Sequence, residues 1–325
     1  MPTSTSVDFE AHTGPYRREL LVHCYRLLGS VQEAEDQVQE TLLRAWRAWD
    51  RYDENLASVR TWLYKIATNA CLTALRGRSH RPLPSGLGGP SEDPDTPLVP
   101  AFDVPWLQPF PDALLGDPAS QVVRQGSLRL ALVAAMQLLP PRQRAVLILR
   151  DVLEFSAGEV AALLETSTAA VNSALQRARA GISAATPAES EVAEPDDGAV
   201  RDILDRYIRS FEAADVDALV TLLTDDAVLE MPPVPLWYLG RADYGRFIAR
   251  VFATRGGDWR MVPTFANGQP SVAAYCRGDR GGYELHTLQV FTVTPGGISH
   301  NVVFQDAEVF AAFELPVVLG PSNAS

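Results

Sequence analysis

Three groupings of side chains have types and spacing that could do chemistry. Asp36, Gln39 and Glu40 fall at i, i+3 and i+4, so a helix would gather them on one polar face able to dock on a partner. From Arg60 to Arg81 the chain holds Arg60, Lys65, Arg76, Arg78, His80 and Arg81 and no acid, with Trp62 and Tyr64 inside the run. Cations for phosphates and flat rings for unstacked bases are what a single nucleic-acid strand needs. The plainer alternative is a solvated basic face whose rings belong to a core. Far downstream, His286 and His300 stand in alternating apolar stretches, where imidazoles turned toward a cavity could move protons. Hydrogen-bonded core histidines are the commoner outcome, and Glu230 and Asp306 are open to the same two readings. No Ser/His/Asp set, phosphate-cradling glycine loop or metal-ligand spacing occurs. The residues therefore imply no enzyme, no metal and no cofactor.

The elements that must position these groups follow from pattern and punctuation. Residues 8–82 read as wholly helical. Tyr16, Leu20, Leu21, Cys24, Tyr25 and Leu28 keep helical spacing up to Gly29, a residue suited to ending a helix. Ala34, Val38, Leu42 and Trp46 recur every four residues and are expected to form the apolar stripe of the next helix. A polar loop spans 50–58, and a third helix runs from about residue 59 to Leu75. Residues 83–122 turn rich in Pro, Gly, Ser and Asp and are expected to be an extended linker. One island, Val104 to Phe110 around Trp106, is too apolar to leave in water and should dock on something. From 123 to 183 helices return: one through Leu128, Leu132, Ala135, Met136 and Leu139, another beginning at Pro141, and a pair over 156–164 and 168–180 with the length of a helix-turn-helix. Val160, Ala161, Leu164, Val171 and Leu175 would be the shared core of that pair.

A second linker covers 184–197, and a different domain fills 198–318. Its helices are expected through Ile203–Phe211, Leu219–Leu223 and Phe247–Phe252. Strands follow at 271–276, 284–293 and 298–305, around the turn Pro295-Gly296-Gly297. Helices followed by an antiparallel sheet indicate an α+β domain.

A chain of 325 residues, 46% hydrophobic, is long enough for two or three domains with real cores. Its net charge of −12 argues against a free-standing nucleic-acid binder, though a protein delivered to DNA by a larger basic partner could be acidic. Cys24, Cys71 and Cys276 stand far apart and read as reduced thiols. With no leader-like opening and no apolar run long enough to span a bilayer, the expected compartment is the cytoplasm, without membrane contact.

The wording of three stretches sharpens these expectations. Residues 33–46, Glu-Ala-Glu-Asp-Gln-Val-Gln-Glu-Thr-Leu-Leu-Arg-Ala-Trp, resemble the region-2.2 helix of bacterial sigma factors of the extracytoplasmic-function (ECF) class. Arg-Thr-Trp-Leu-Tyr-Lys-Ile-Ala-Thr-Asn-Ala-Cys-Leu, from Arg60, resembles regions 2.3 and 2.4 of that family. The helix-turn-helix, ending in Arg177-Ala178-Arg179, is similar to region 4. The resemblance implies that Asp36, Gln39 and Glu40 meet the clamp helices of core RNA polymerase, whose flap is the further partner. It implies that Trp62, Lys65, Asn69, Arg76 and Arg78, with the loop 50–58, hold the promoter −10 element. Thr168, Asn172, Ser173, Gln176, Arg177 and Arg179 would read the −35 element. Two departures stand out in region 4: Glu165 where many members have Gly, and Asn172 and Ala174 where Lys and Arg are common. The island around Trp106 resembles, more loosely, the Trp-Leu-Pro-Glu-Pro island of ECF factors with a carboxy-terminal extension.

The last domain, with Thr224-Asp225-Asp226-Ala227-Val228-Leu229-Glu230-Met231-Pro232-Pro233 and Trp237-Tyr238, resembles SnoaL-like domains. That implies a cone-shaped barrel with a small pocket, for which Trp237, Tyr238, His286 and His300 are the candidate lining. The expected whole is two all-α domains and one α+β domain: an ECF sigma factor that binds core RNA polymerase and promoter DNA. Its extension would act as an internal regulator that a small molecule or regulatory protein could address. The competing expectation is a SnoaL-like isomerase or ligand-binding enzyme with an accessory DNA-binding half.

Overall fold

The computed structural model describes residues 4–116, 126–185, 198–278 and 281–319. It divides into two compact units, Met1–Arg81 with Asp112–Pro187, and Pro82–Pro111 with Ala188–Ser325.

The first unit is helical: α1 (Ser4–Thr13), α2 (Arg17–Leu28), α3 (Val31–Ala48), α4 (Val59–Ala74), α5 (Leu130–Gln137), α6 (Pro141–Leu147), α7 (Ala157–Leu163) and α8 (Thr168–Ala185). Gly29 ends α2 in the left-handed region at φ 71°, and Ser30 at once caps α3 by accepting from the Glu33 N–H. Pro141 opens α6, which runs on into a π-helical turn at Ile148–Val152. The buried stripe of α3 is Val31, Ala34, Val38, Thr41 and Ala45, while Leu42 is half-buried and Trp46 is 40% exposed. The expected every-four row is corrected by helix geometry: each step of four overshoots a turn by about 40°, so by Trp46 the row has wound out of the core. Trp46 instead meets Phe9 edge to face at 5.4 Å.

The segments expected as separate region 2 and region 4 domains pack as one unit. Buried Arg144 of α6 joins them. Its guanidinium donates to the Leu27 carbonyl at the end of α2, to Gln137 Oε1 at 2.6 Å, and to the carbonyls of Gln137 and Leu139. Burial lowers its pKa to about 10, so it stays charged at neutral pH.

The second unit comprises α9 (Gly198–Glu212), α10 (Val216–Val220), β1 (Leu223–Glu230), β2 (Trp237–Leu239), α11 (Arg241–Arg255), β3 (Trp259–Ala266), β4 (Gln269–Arg277), β5 (Tyr283–Thr294), β6 (Gly297–Phe304), α12 (Ala307–Ala312) and β7 (Val318–Leu319). The seven-stranded sheet has the order β2-β1-β6-β5-β4-β3, with β7 on β5. It is mixed rather than antiparallel, since β1 runs parallel to β6, and it does not close into a barrel. Leu223 opens β1 instead of ending a helix. Tyr207 and Phe211 of α9, Tyr244 and Phe247 of α11, and Trp259, Phe291 and Val293 of the sheet share the core.

Most of the stretch expected as a free linker is folded onto this unit. The Trp237 indole donates to the Gly88 carbonyl at 2.8 Å, and the Ser91 N–H returns a bond to the Trp237 carbonyl. Arg250 donates to the carbonyls of Pro94 and Thr96, and Arg246 to that of Glu92. The Ala101 N–H reaches the Pro233 carbonyl, and the Phe110 N–H reaches Asn267 Oδ1 at 2.7 Å. Trp106 is buried, its indole bonded to the Ala101 carbonyl. Proline removes donors from such a segment, so its carbonyls are met by side chains of the domain instead.

Candidate functional sites

On α3, Asp36 and Gln39 are exposed, and half-buried Glu40 is held by Arg44 one turn on at 2.7 Å. Gln39 also lines a groove with Arg17, Arg18, Glu35, Val38 and the residues Ala113 and Leu114. The acidic face is thus presented outward, as the spacing implied.

On α4 the expected reading surface is partly spoken for. Trp62 lies in an aromatic cluster, 5.0 Å from Tyr52 and 6.1 Å from Trp49. Tyr64 is core: it is fully buried, and its hydroxyl donates to Glu19. Arg60 pairs with the same carboxylate at 3.2 Å and sits over the rings of Tyr64 and Phe155. Burial lifts the Tyr64 hydroxyl well above its ordinary range, with Glu19 adding to the shift. Lys65 faces Glu165 at 3.4 Å, and Arg78 and Arg81 share Glu33 at 2.7 and 2.9 Å. The basic run lacks acids of its own, so α2, α3 and the region 4 turn supply them. Asn69 is half-buried and Arg76 exposed.

The helix-turn-helix is α7, α8 and the turn between them. Ser156 and Glu159 form a reciprocal capping box that starts α7. Val160, Ala161, Leu164, Val171 and Leu175 are all buried between the helices. Glu165 adopts φ 51°, the left-handed conformation that Gly would take without strain. Thr168, Asn172, Ser173, Gln176 and Arg177 are exposed along α8. Arg179 is exposed too, and two of its three guanidinium nitrogens, Nε and Nη2, donate to Asp151 at 2.8 and 2.7 Å.

In the second unit a cavity is lined by residues of α9, α11 and one face of the sheet. Thr287, Gln289, Asn301, Val303 and Gln305 turn toward it, together with His286. Alternation should have sent His286 away from Thr287. A bulge there, where Ala274 pairs Thr287 but Tyr275 pairs Leu285, turns both inward. Burial, with Arg255 nearby, lowers the His286 pKa to about 4 and keeps its ring neutral. The other candidates for the lining are corrected. His300 lies on the opposite side of β6, its Nε2 2.9 Å from buried Glu230, whose other oxygen accepts from the Ser85 N–H. Trp237 and Tyr238 bind the 82–111 segment, and Tyr238 stacks on Phe247 at 4.9 Å. Asn301 and Gln289 were not singled out from sequence. Even spacing from Asn301 to Gln305 was the available signal, read one residue out of phase.

These features define a multidomain promoter-recognition factor. Residues 14–81 match the model of Sigma-70 region 2, residues 129–181 that of Sigma-70, region 4, and residues 204–301 that of a SnoaL-like domain. The chain belongs to the ECF RNA polymerase sigma factors. It is 50% identical over 315 residues to the ECF RNA polymerase sigma factor SigG of Mycobacterium tuberculosis, covering 95% of this chain and 84% of the relative. It is 32% identical over 220 residues to SigJ of the same organism, 67% of this chain and 62% of that one. The crystal structure of the M. tuberculosis factor SigJ superposes with a TM-score of 0.65 at 24% identity, over 96% of this chain and 99% of that one, and shares the fold. As a sigma factor the chain partners with core RNA polymerase and promoter DNA in transcription initiation; it is a transcription regulator rather than an enzyme. Among the described residues no helix is long and apolar enough to cross a membrane.

Proposed function

We propose that Asp36, Gln39 and Glu40 form the contact with the polymerase clamp, that Trp62, Lys65, Asn69, Arg76 and Arg78 hold the −10 strand, and that Thr168, Asn172, Ser173, Gln176 and Arg177 read the −35 element from α8. The protein acts in the cytoplasm, where polymerase and promoter meet. The SnoaL-like domain serves as an internal regulator that works by contact. One observation carries this last point: the segment joining the two sigma regions in sequence, 82–111, is bound into the carboxy-terminal unit rather than free. Whatever stabilises or loosens that segment changes the tether between the two DNA-reading regions.

The test is run-off transcription with purified core polymerase. Asp36→Lys with Glu40→Lys should abolish initiation and co-purification with core while leaving the helical content intact. Arg246→Ala with Arg250→Ala, which releases carbonyls of the segment without touching either sigma region, should change output at equal concentration. Wild-type output from the segment variant would refute internal regulation, and wild-type co-purification of the charge-reversed protein would remove that face from the polymerase contact.

A further inference from the structure

The loop 50–58 is bonded to itself and scarcely to the rest of its unit. The Tyr52 N–H donates to the Trp49 carbonyl at 3.0 Å, and the Leu56 N–H to that of Asp53 at 3.1 Å. Asp53 Oδ1 accepts from the backbone and the side chain of Asn55, each at 2.9 Å, and the Tyr52 hydroxyl donates to the Ala57 carbonyl at 2.9 Å. Among the described residues, no hydrogen bond or ion pair takes the loop beyond residues 49–62. A loop so sparsely bonded keeps one shape only where side-chain packing fixes it.

A row of rings supplies that packing. Tyr52 stacks on Trp49 with centroids 5.4 Å apart and planes 6° apart, and Trp62 of α4 approaches Tyr52 at 5.0 Å. Trp49 is in turn held by α1. Phe9 meets it edge to face at 5.3 Å, His12 lies 5.6 Å away, and its indole N–H donates to Asp8 Oδ2 at 3.4 Å. Phe9 is 7% exposed and packs on Trp46 as well. Edge-to-face contacts set the angle of a ring as well as its distance, because the positive edge of one ring seeks the negative face of the next. Phe9, Trp49, Tyr52 and Trp62 thus run in one unbroken row from α1 to the surface assigned above to the −10 strand. Residues 4–13 of α1 precede the stretch 14–81 that matches region 2, so that match does not account for them.

We propose that α1 is a working part of promoter opening in this protein: Phe9 positions Trp49, and Trp49 holds Tyr52 and the loop 50–58 in the shape that receives unstacked −10 bases. Phe9 touches no DNA and is a positioning residue. Without it the Trp49 ring can turn, the stack on Tyr52 loosens, and the loop samples shapes that suit several bases equally. The inference deepens the function proposed above and rests on its assignment of Trp62 and Asn69 to the −10 strand.

The test uses the full chain with core polymerase on a promoter that the wild-type holoenzyme selects from randomised duplex DNA. A 2-aminopurine in the −10 segment reports base unstacking, and single-base changes there report discrimination. Phe9→Ala should lower discrimination at −10 by about tenfold, the scale of one lost base contact, and should slow unstacking. Duplex binding before opening and co-purification with core should stay at the wild-type level. Phe9→Tyr, which keeps the ring, should restore discrimination and unstacking. Asp8→Ala with His12→Ala, at exposed positions against the same Trp49 ring, should give a smaller loss in the same direction. That pair decides alone if Phe9→Ala does not fold. Wild-type discrimination and unstacking in the α1 variants would overturn the proposal. So would a loss of duplex and core binding with discrimination intact, which would make α1 a stabilising element and nothing more. If Trp62→Ala and Asn69→Ala both leave discrimination and unstacking at the wild-type level, the −10 assignment itself fails and the proposal with it.

Discussion

Replacing Arg144 by Met should cost the helical unit more than any other single change to its polar groups. The side chain is 2% exposed and donates to the carbonyls of Leu27, Gln137 and Leu139 and to Gln137 Oε1. Methionine nearly matches its length and offers no donor. Each acceptor left buried without a partner costs about 1–3 kcal/mol, so the gross loss is about 4–12 kcal/mol. Relief from burying a guanidinium returns several kcal/mol, which brings the expected net to about 3–5 kcal/mol. That figure is a large share of the stability of a domain. The assay is native-state hydrogen exchange of α5 and α6 amides in the full chain, which reads the helical unit without requiring the whole protein to unfold in one step. Protection should fall by about 10²–10³-fold, at about 1.4 kcal/mol per factor of ten. Arg144→Lys keeps the charge but not the planar fork and should fall between. If Arg144→Met leaves protection within a few-fold of wild type, the acceptors find other donors and the accounting above is wrong.

Glu165→Gly should stabilise the helix-turn-helix by about 0.5 kcal/mol. Removing a left-handed non-glycine residue gains about 1–2 kcal/mol, the flexibility of glycine costs about 0.5–1, and the exposed pair with Lys65 is worth little; a fall in the urea midpoint would contradict this. His23 is fully buried and its pKa is lowered to about 3, first by burial and then by Arg26 and Arg60. The unfolded chain therefore takes up a proton near pH 6.5 that the folded one refuses. Stability should fall by up to about 1.4 kcal/mol per pH unit as pH drops from about 6.5 toward 3. His23→Gln should flatten that slope in denaturant titrations from pH 7 to 5. Arg177→Ala should reduce the log–log salt dependence of promoter binding by about one, while Arg179→Ala, already occupied by Asp151, should change it less. Glu230→Ala should free the Ser85 amide to exchange and destabilise the second unit by about 2–4 kcal/mol, since it removes a buried carboxylate's bonds to Ser85 and His300.

The parts of the structure that were legible are those set by local rules. Gly29 and Pro141 mark helix ends where the structure has them, while the Ser30 cap and the Ser156–Glu159 box were not singled out. The shared core of α7 and α8 follows from spacing alone. What escaped depends on partners distant in sequence. The pairing of Arg179 with Asp151, 28 residues earlier, is one such contact. Tyr64 reads as a stacking platform until Glu19 and Arg60 are placed beside it. His300 was placed in the cavity because alternation is blind to phase, and His286 reached it only through a bulge that no periodicity encodes. Proline content in 82–111 marked a lack of regular structure, but irregular backbone can still be bound when arginines and a tryptophan of another segment take up its carbonyls.

The bound segment has a consequence for how the chain is made. Residues 82–111 leave the ribosome before the strands they pack on, and Glu230, which accepts from Ser85, is translated far later. Phe110 bonds to Asn267, 157 residues on, and at ~5–20 residues per second such a stretch takes roughly 8–31 s to add. For that interval Trp106, Leu107 and Phe110, all buried in the finished protein, have no domain to cover them. The same arithmetic applies to any gene shortened after the region 4 helices: it encodes the segment but not its bed. Such a product would carry a permanently bare apolar strip, and its behaviour in cells would report exposure to chaperones and proteases as much as loss of regulation.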